Sequence, residues 1–378
     1  MRDLPIELVS AVVQDVSATV DLLHLRSLNR SYRELVTPHA FSKLHIKNSI
    51  QSAQNCRQII AAASLAIHVR EVVYDSRDNE CFRLPPDNVG KAVCIDSADA
   101  GSELEEVLTD AFCGITALPK IESVVLNFWP SFLCQESGRE VCENPFWFIN
   151  RQLTLLHAIY HGMKTSRLTA LSFNNVILPP TGYDFVSSLV DSPLSHISVS
   201  VVSNAELSAW SASNNINGSL GALLPPSNPT LKSIVLRSPQ GAYHSLATRL
   251  SSFYYPSLES LMLENIIFDH APSFDGVEEF VIRHKDTLQR LELQSCACYV
   301  PDPATDIRQW STIWQRWAAE LTSLTELVVN NGDHRYVLFD TDRGYIPHRE
   351  TSTLAYEDDS SSLQVFKDSI AAGRVAVA

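Results

Sequence analysis

The chain has 378 residues and a formal net charge of -14 at pH 7, with 45% hydrophobic and 19% charged residues. This composition is typical of a folded protein, and the sequence lacks an apolar run of the roughly 18 residues that a membrane-spanning helix needs. The acidic excess argues against a nucleic-acid-binding face, which requires clustered Lys and Arg. We therefore expect neither a membrane nor a nucleic acid among its partners.

The N-terminus and the cysteines indicate an intracellular protein. Met1 and Arg2 lead directly into an amphipathic stretch, so we expect no secretory signal and a cytoplasmic and/or nuclear location. Eight cysteines are scattered without repeated CxxC spacing, which in a reducing compartment indicates buried thiols more than disulfides or zinc ligands. They are Cys56, Cys81, Cys94, Cys113, Cys134, Cys142, Cys296 and Cys298.

The first predicted helix has more apolar surface than one core requires. Pro5 suits the first turn of a helix, and Glu7 lies near the positive end of its dipole. The helix is predicted to run to about Asp15, with an apolar arc of about 160°, wider than the roughly 100° stripe that covers one core. The apolar residues on this arc are Ile6, Leu8, Val9, Val12, Val13 and Val16.

Two more short helices are predicted directly afterwards. The second, which contains Val20, Leu22, Leu23, Leu25 and Leu28, is apolar nearly all round. The third is predicted over residues 30–36, because the residue before Pro38 is disfavoured in a helix. So small a bundle cannot bury its own apolar surface. Either the helices cap the rest of the chain, or part of their surface is kept for another protein, and the residue pattern leaves both open.

The three predicted helices contain one spaced pattern: Leu4-Pro5-x-Glu7-Leu8, Val12-Val13, Asp21-Leu22-Leu23, Leu25-Arg26, Leu28-x-Arg30, Tyr32 and Leu35. In order and spacing this pattern resembles a known family, the F-box. The run LNRSYRELVTPHAFSKLHI, residues 28–46, is similar to the version common in fungal F-box proteins. Two positions depart from the family, since its frequent Cys is Asn29 here and its frequent Trp is Tyr32.

The resemblance implies docking on a Skp-family adaptor and, through it, on a cullin/RING ubiquitin ligase. It also explains the surplus of apolar surface on the first helices. The residues that it implies for adaptor binding are Leu4, Pro5, Leu8, Val12, Leu22, Leu23, Leu25, Leu28 and Tyr32.

The rest of the chain repeats a short pattern, Leu-x-x-Leu-x-Leu or its apolar equivalents. A helix over about 48–65 and a strand within 66–75 are predicted first. The last two apolar positions of each pattern alternate with period two, as a strand with one buried face requires. The seven instances span residues 121–126, 168–173, 194–199, 231–236, 258–263, 288–293 and 324–329.

Helical stretches separate these strands, which favours parallel pairing with crossover helices. The pattern resembles the strand core of leucine-rich repeats, which implies a stacked solenoid. The intervals of 47, 26, 37, 27, 30 and 36 residues are irregular, and the position that holds Asn or Cys in such repeats is filled in type only at Cys296. A doubly wound globular α/β domain is the alternative.

Candidates for chemistry are few. His157 and His161 are four residues apart on a predicted helix, but the central Glu of a metalloprotease HExxH motif is missing. Cys296 and Cys298 lie on or just past a predicted strand and lack the CxxC spacing of a metal site, so a shared metal ion is not expected. The tryptophan-rich spacing of Trp310, Ile313, Trp314, Trp317 and Leu321 predicts the packing stripe of a crossover helix.

We therefore predict an α/β protein in which a three-helix F-box, residues 1–47, precedes an irregular leucine-rich-repeat-like solenoid, residues 48–350. Residues 351–378 are predicted to form an acidic segment and a short capping helix. Residues 128–146 and 330–350 are predicted to be exposed insertions without regular structure. The segment 1–47 contains six basic and five acidic residues, so the rest of the chain carries a charge of -15.

The functional expectation is a noncatalytic substrate receptor of an SCF ubiquitin ligase, which recruits a protein target that the sequence does not identify. No cofactor or metal is expected. A leucine-rich-repeat interaction or scaffold protein that acts outside the ligase is the alternative. An enzyme is a third possibility, for which only the histidines and scattered thiols above are available.

Overall fold

The computed structural model describes residues 6–16, 18–76, 98–128, 145–162, 167–176, 190–201, 223–238, 250–268, 276–301, 307–330, 336–340 and 344–377. The chain forms two compact units, Met1–Leu171 and Ser172–Ala378. No helix in these ranges is long and apolar enough to cross a membrane.

The first unit contains seven described helices. They are α1 (Ile6–Asp15), α2 (Thr19–Leu28), α3 (Arg30–Ala40), α4 (Ile50–Ala61), α5 (Ala63–Ala66), α6 (Ala98–Ile115) and α7 (Pro145–Gly162). Its three strands are β1 (Lys43–Lys47), β2 (Glu71–Asp75) and β3 (Ser123–Asn127), and both β1–β2 and β2–β3 are parallel pairs. A fourth strand, β4 (Ala170–Val176), begins at the end of this unit.

Alternating side chains of these strands build the core of the first unit. Leu44 and Ile46 of β1 are buried while the residues between them are exposed. Tyr74 of β2 is fully buried, packs edge-on against Phe112 of α6, and donates a hydrogen bond of 3.0 Å to Asn48. The buried tyrosine thus brings its polar end to a partner, as buried phenols usually do.

The second unit contains two groups of strands. The main group is β5 (His196–Val201), β6 (Ser233–Arg237), β7 (Ser260–Glu264), β9 (Arg290–Gln294) and β11 (Glu326–Asn330), and each strand pairs in parallel with the next one in this order. The smaller group is β8 (Ile267–Phe268), β10 (Ala297–Tyr299), β12 (Tyr336–Asp340) and β13 (Gly344–Pro347). In it β8, β10 and β12 are parallel, and β13 is antiparallel to β12.

The described helices of the second unit are α8 (Val277–Arg283), α9 (Trp310–Glu320), α10 (Arg349–Leu354) and α11 (Tyr356–Val377). Trp310, Ile313, Trp314, Trp317 and Leu321 are all buried, so the predicted packing stripe is confirmed. Phe366 of α11 is buried and stacks on Trp314, with 6.5 Å between ring centroids.

A repeated hydrogen-bond arrangement marks the start of each parallel strand. In the second unit the carbonyl of Glu259 accepts from the backbone N–H groups of both Gln289 and Arg290, at 2.8 and 2.9 Å. The same contact, in which one carbonyl accepts from two successive N–H groups, recurs between three other pairs of neighbouring strands in that unit. The accepting carbonyls are those of Ser195, Lys232 and Gln289. In the first unit it recurs through those of Ser42, Arg70 and Glu122. The sequence patterns therefore occupy equivalent structural positions within each unit.

The seven strands predicted from the repeated pattern are confirmed, and the strand predicted within 66–75 is β2. The prediction that α3 ends at residue 36 was wrong, because the helix continues through Pro38 to Ala40. Val36, Thr37 and Ala40 are buried, and the N–H of Phe41 still donates to Thr37. Packing of this last turn outweighs the roughly 3 kcal/mol that an interior proline costs.

Other element predictions need correction. The predicted helix 48–65 is two helices, α4 and α5, separated at Ala62. Residues 330–350 are not a plain loop, since they include the β12–β13 hairpin and the start of α10. The C-terminal helix is 22 residues long rather than short. Most of the other predicted insertion, residues 129–144, lies outside the described ranges.

The thiols are only partly as predicted. Cys56, Cys296 and Cys298 are buried, whereas Cys113 is exposed, which corrects the expectation for that residue. These four are free thiols, and the other four cysteines lie outside the described ranges. The Cys296 thiol donates to the carbonyl of Leu263 at 3.4 Å, so it ties the short link between β9 and β10 to strand β7.

Candidate functional site

The first three helices form a small bundle, here called the N-terminal bundle (α1–α3). Its core consists of one buried residue of α1, one of α2 and two of α3. These are Val13, Leu22, Val36 and Ala40, with Val16, Leu25, Tyr32, Leu35 and Phe41 packed around them. The bundle therefore has a core of its own, and one side of each helix is committed to it.

Polar contacts fix α2 against α3. Asn29 caps α3, since its side chain accepts from the N–H of Tyr32 at 2.9 Å, a contact typical of the start of a helix. Arg26 donates to the Thr37 hydroxyl at 3.0 Å and lies 5.3 Å from the centre of the Phe41 ring. The angle between the two helices is thus set by more than apolar packing.

Large apolar side chains remain exposed on the outer sides of α1 and α2. Their exposed fractions are 54% for Leu8, 61% for Val12, 62% for Val20, 41% for Leu23 and 62% for Leu28. Single exposed apolar residues are ordinary, but five large ones on two short helices are an excess that an interaction site would explain.

The outer face of α2 is also uncharged. At 100° per residue it comprises Val20, Leu23, His24, Ser27 and Leu28, all of them exposed, and this set is called the α2 outer face below. It contains no Asp, Glu, Lys or Arg, but the exposed Asp21 lies at its edge, about 20° from Leu28 on the same projection. Such a surface favours contact with an apolar partner over contact with a charged one.

The structure divides the sequence-predicted adaptor residues into three groups. Leu8, Val12, Leu23 and Leu28 are exposed. Leu22 is buried, and Leu25 and Tyr32 pack on the bundle core, so these three hold the helices together. Leu4 and Pro5 lie outside the described ranges.

Sequence reasoning missed three residues of the α2 outer face. Val20 was recognised as apolar but not as a site residue, and His24 and Ser27 were not singled out. The signal available was position, since Val20, His24 and Leu28 are four residues apart and therefore share one row of a helix. Which row faces outward became clear only from the packing of Leu22 on α3.

The candidates for chemistry do not come together. His157 is exposed on α7, and the side chain of His161 lies outside the described ranges. Burial raises the pKa of the Cys296 thiol to about 12 and raises that of Cys298 well above its usual value, so neither is a reactive thiolate at neutral pH. Within the described ranges no group of three or more His, Cys, Asp or Glu side chains is placed to hold a metal ion.

The outward-facing charges on the main strands of the second unit pair with one another. Arg237 contacts Glu264 at 2.9 Å, and Arg290 contacts both Glu292 and Glu326. The hydrogen bond from Arg290 lowers the pKa of the Glu292 carboxyl. The outward-facing side of β6, β7, β9 and β11 thus carries three acidic and two basic side chains, and all five take part in these ion pairs. The acidic excess of the chain is therefore not concentrated on this side of the strands.

Comparison with known proteins adds no assignment. No family model matches the chain, and a search of curated proteins found no match.

Proposed function

We propose that the chain is a noncatalytic substrate-receptor subunit of an SCF (Skp-cullin-F-box) E3 ubiquitin ligase. In this proposal the outer sides of α1 and α2 bind a Skp-type adaptor, and the repeated strand region recruits a protein target. The observation that carries the proposal is the division of the N-terminal bundle into a closed core and an exposed apolar outside. The F-box resemblance of residues 4–46 supplies the identity of the partner.

Burial of the exposed residues explains why an adaptor would bind. Fully burying a side chain of the size of Val or Leu contributes roughly 1.5–3 kcal/mol, and about half of that is available where the side chain is half exposed. Five such residues lie on α1 and α2. The core residues of the bundle are already packed, so binding needs no rearrangement of Leu22 or Val36.

The proposed action is to bring the target close to the ligation machinery. A receptor that holds adaptor and target at once raises the effective concentration of target lysines near a charged ubiquitin-conjugating enzyme on the same scaffold. Other subunits catalyse the transfer of ubiquitin to the target lysine, and this chain contributes binding and orientation of the target. The parallel strands and their shared hydrogen-bond arrangement provide a stable platform for that role.

Co-purification tests the proposal. The intact chain, expressed with an affinity tag in fungal cells, is expected to retain both a Skp-type adaptor and a cullin. Failure of the folded chain to bind purified adaptor at about 1 µM, an affinity common for specific complexes, would reject the proposal. Retention of the adaptor without cullin would instead favour the alternative of an interaction protein that acts outside the ligase.

A further inference from the structure

We draw no further inference here: the strongest candidate, the outward-facing side of strands β6, β7, β9 and β11, has charged side chains that already pair with one another, and nothing in the structure shows what covers it.

Discussion

Leu22 and Leu23 are neighbours in α2 and lie on opposite sides of it: Leu22 is 5% exposed and belongs to the bundle core, whereas Leu23 is 41% exposed. The same residue type at adjacent positions therefore has two roles. One leucine holds α2 against α3, and the other is available to a partner. This pair separates the stability of the N-terminal bundle from its proposed binding activity.

The first prediction concerns the stability of the bundle. Leu22→Ala is expected to lower the free energy of unfolding by about 2–4 kcal/mol, because it leaves a cavity in the core. Leu23→Ala is expected to change it by less than about 0.5 kcal/mol. Urea titration followed by circular dichroism measures both. Equal losses from the two variants would show that Leu23 is buried in the folded chain.

The second prediction concerns a buried ion pair in the second unit. Arg308 contacts the Glu278 carboxylate through two nitrogens, at 2.9 and 2.6 Å, and the two side chains are only 10% and 6% exposed. Glu278→Gln is expected to cost about 3 kcal/mol, because it leaves the Arg308 charge buried without its carboxylate and also weakens the 3.0 Å contact from Arg316 to Glu278. The loss is expected to change little between low and high salt, since water does not screen a buried pair effectively.

An exposed pair serves as the matched control for that measurement. Lys232 and Glu259 lie 2.8 Å apart, but their side chains are 53% and 44% exposed. Glu259→Gln is therefore expected to cost less than about 1 kcal/mol, and salt is expected to reduce the difference further. A similar cost at both sites would contradict the assignment of Glu278 as a buried anchor.

The third prediction concerns pH. His284 is buried, and its ring lies between two backbone groups: Nδ1 donates to the carbonyl of Phe280 at 2.8 Å, and Nε2 accepts from the N–H of Tyr255 at 3.0 Å. Burial lowers the pKa of His284 from 6.5 to about 4, although the bond to Phe280 raises it. The folded chain therefore keeps the ring neutral at a pH where the unfolded chain protonates it.

Acid destabilises the folded chain through this histidine. The unfolded state binds the extra proton between about pH 6.5 and pH 4, so stability is full above that window and falls as the pH decreases through it, by about 3 kcal/mol in all. His284→Gln removes this titration. The difference in unfolding free energy between wild type and variant, measured at pH 7, 5.5 and 4, is expected to shrink as the pH falls. A constant difference would contradict the prediction.

The fourth prediction concerns the attachment of α11. The Tyr336 hydroxyl donates to the Asp359 carboxylate at 2.8 Å and accepts from the N–H of Trp310 at 2.9 Å, and the N–H of Ser311 donates to the same carboxylate. Tyr336→Phe leaves the Trp310 N–H and one carboxylate oxygen without this partner, and it is expected to cost about 1–3 kcal/mol. The tryptophan fluorescence transition in urea is expected to shift to lower urea concentration.

A tyrosine on the surface provides the control for this change. Tyr254 is 51% exposed, so Tyr254→Phe is expected to change the unfolding free energy by less than about 0.5 kcal/mol. If Tyr336→Phe were equally mild, the buried contact with Asp359 would not hold α11 in place.

The strands were predictable because their signal is local. At Leu261 and Leu263, for example, two apolar residues alternate after a turn position, and both are buried in β7. The shared carbonyl contacts between strands were not predictable, because they depend on backbone groups that every residue carries. The β12–β13 hairpin was missed because the turn-forming residues beside it, such as those in NNGDHR and TDRG, suggested a loop.

The candidate site was predictable only in part for a related reason. Helix α2 is apolar nearly all round, so its sequence indicates an unusual helix without indicating which half faces the core. Contact with α3 decides this, by burying Leu22 and leaving Leu23 exposed. The predicted end of α3 at residue 36 failed because the local effect of Pro38 was weaker than the packing of Ala40.

The most direct test of the proposed function is the affinity of the intact chain for a purified Skp-type adaptor, measured for wild type, Leu23→Ala and a double change of Val20 and Leu23 to Ala. Wild type is expected to bind at about 1 µM or tighter. The single change is expected to weaken binding about tenfold and the double change further, while the unfolding free energy stays near that of wild type. Undiminished binding by the folded double variant would contradict the assignment of the α2 outer face as the adaptor site.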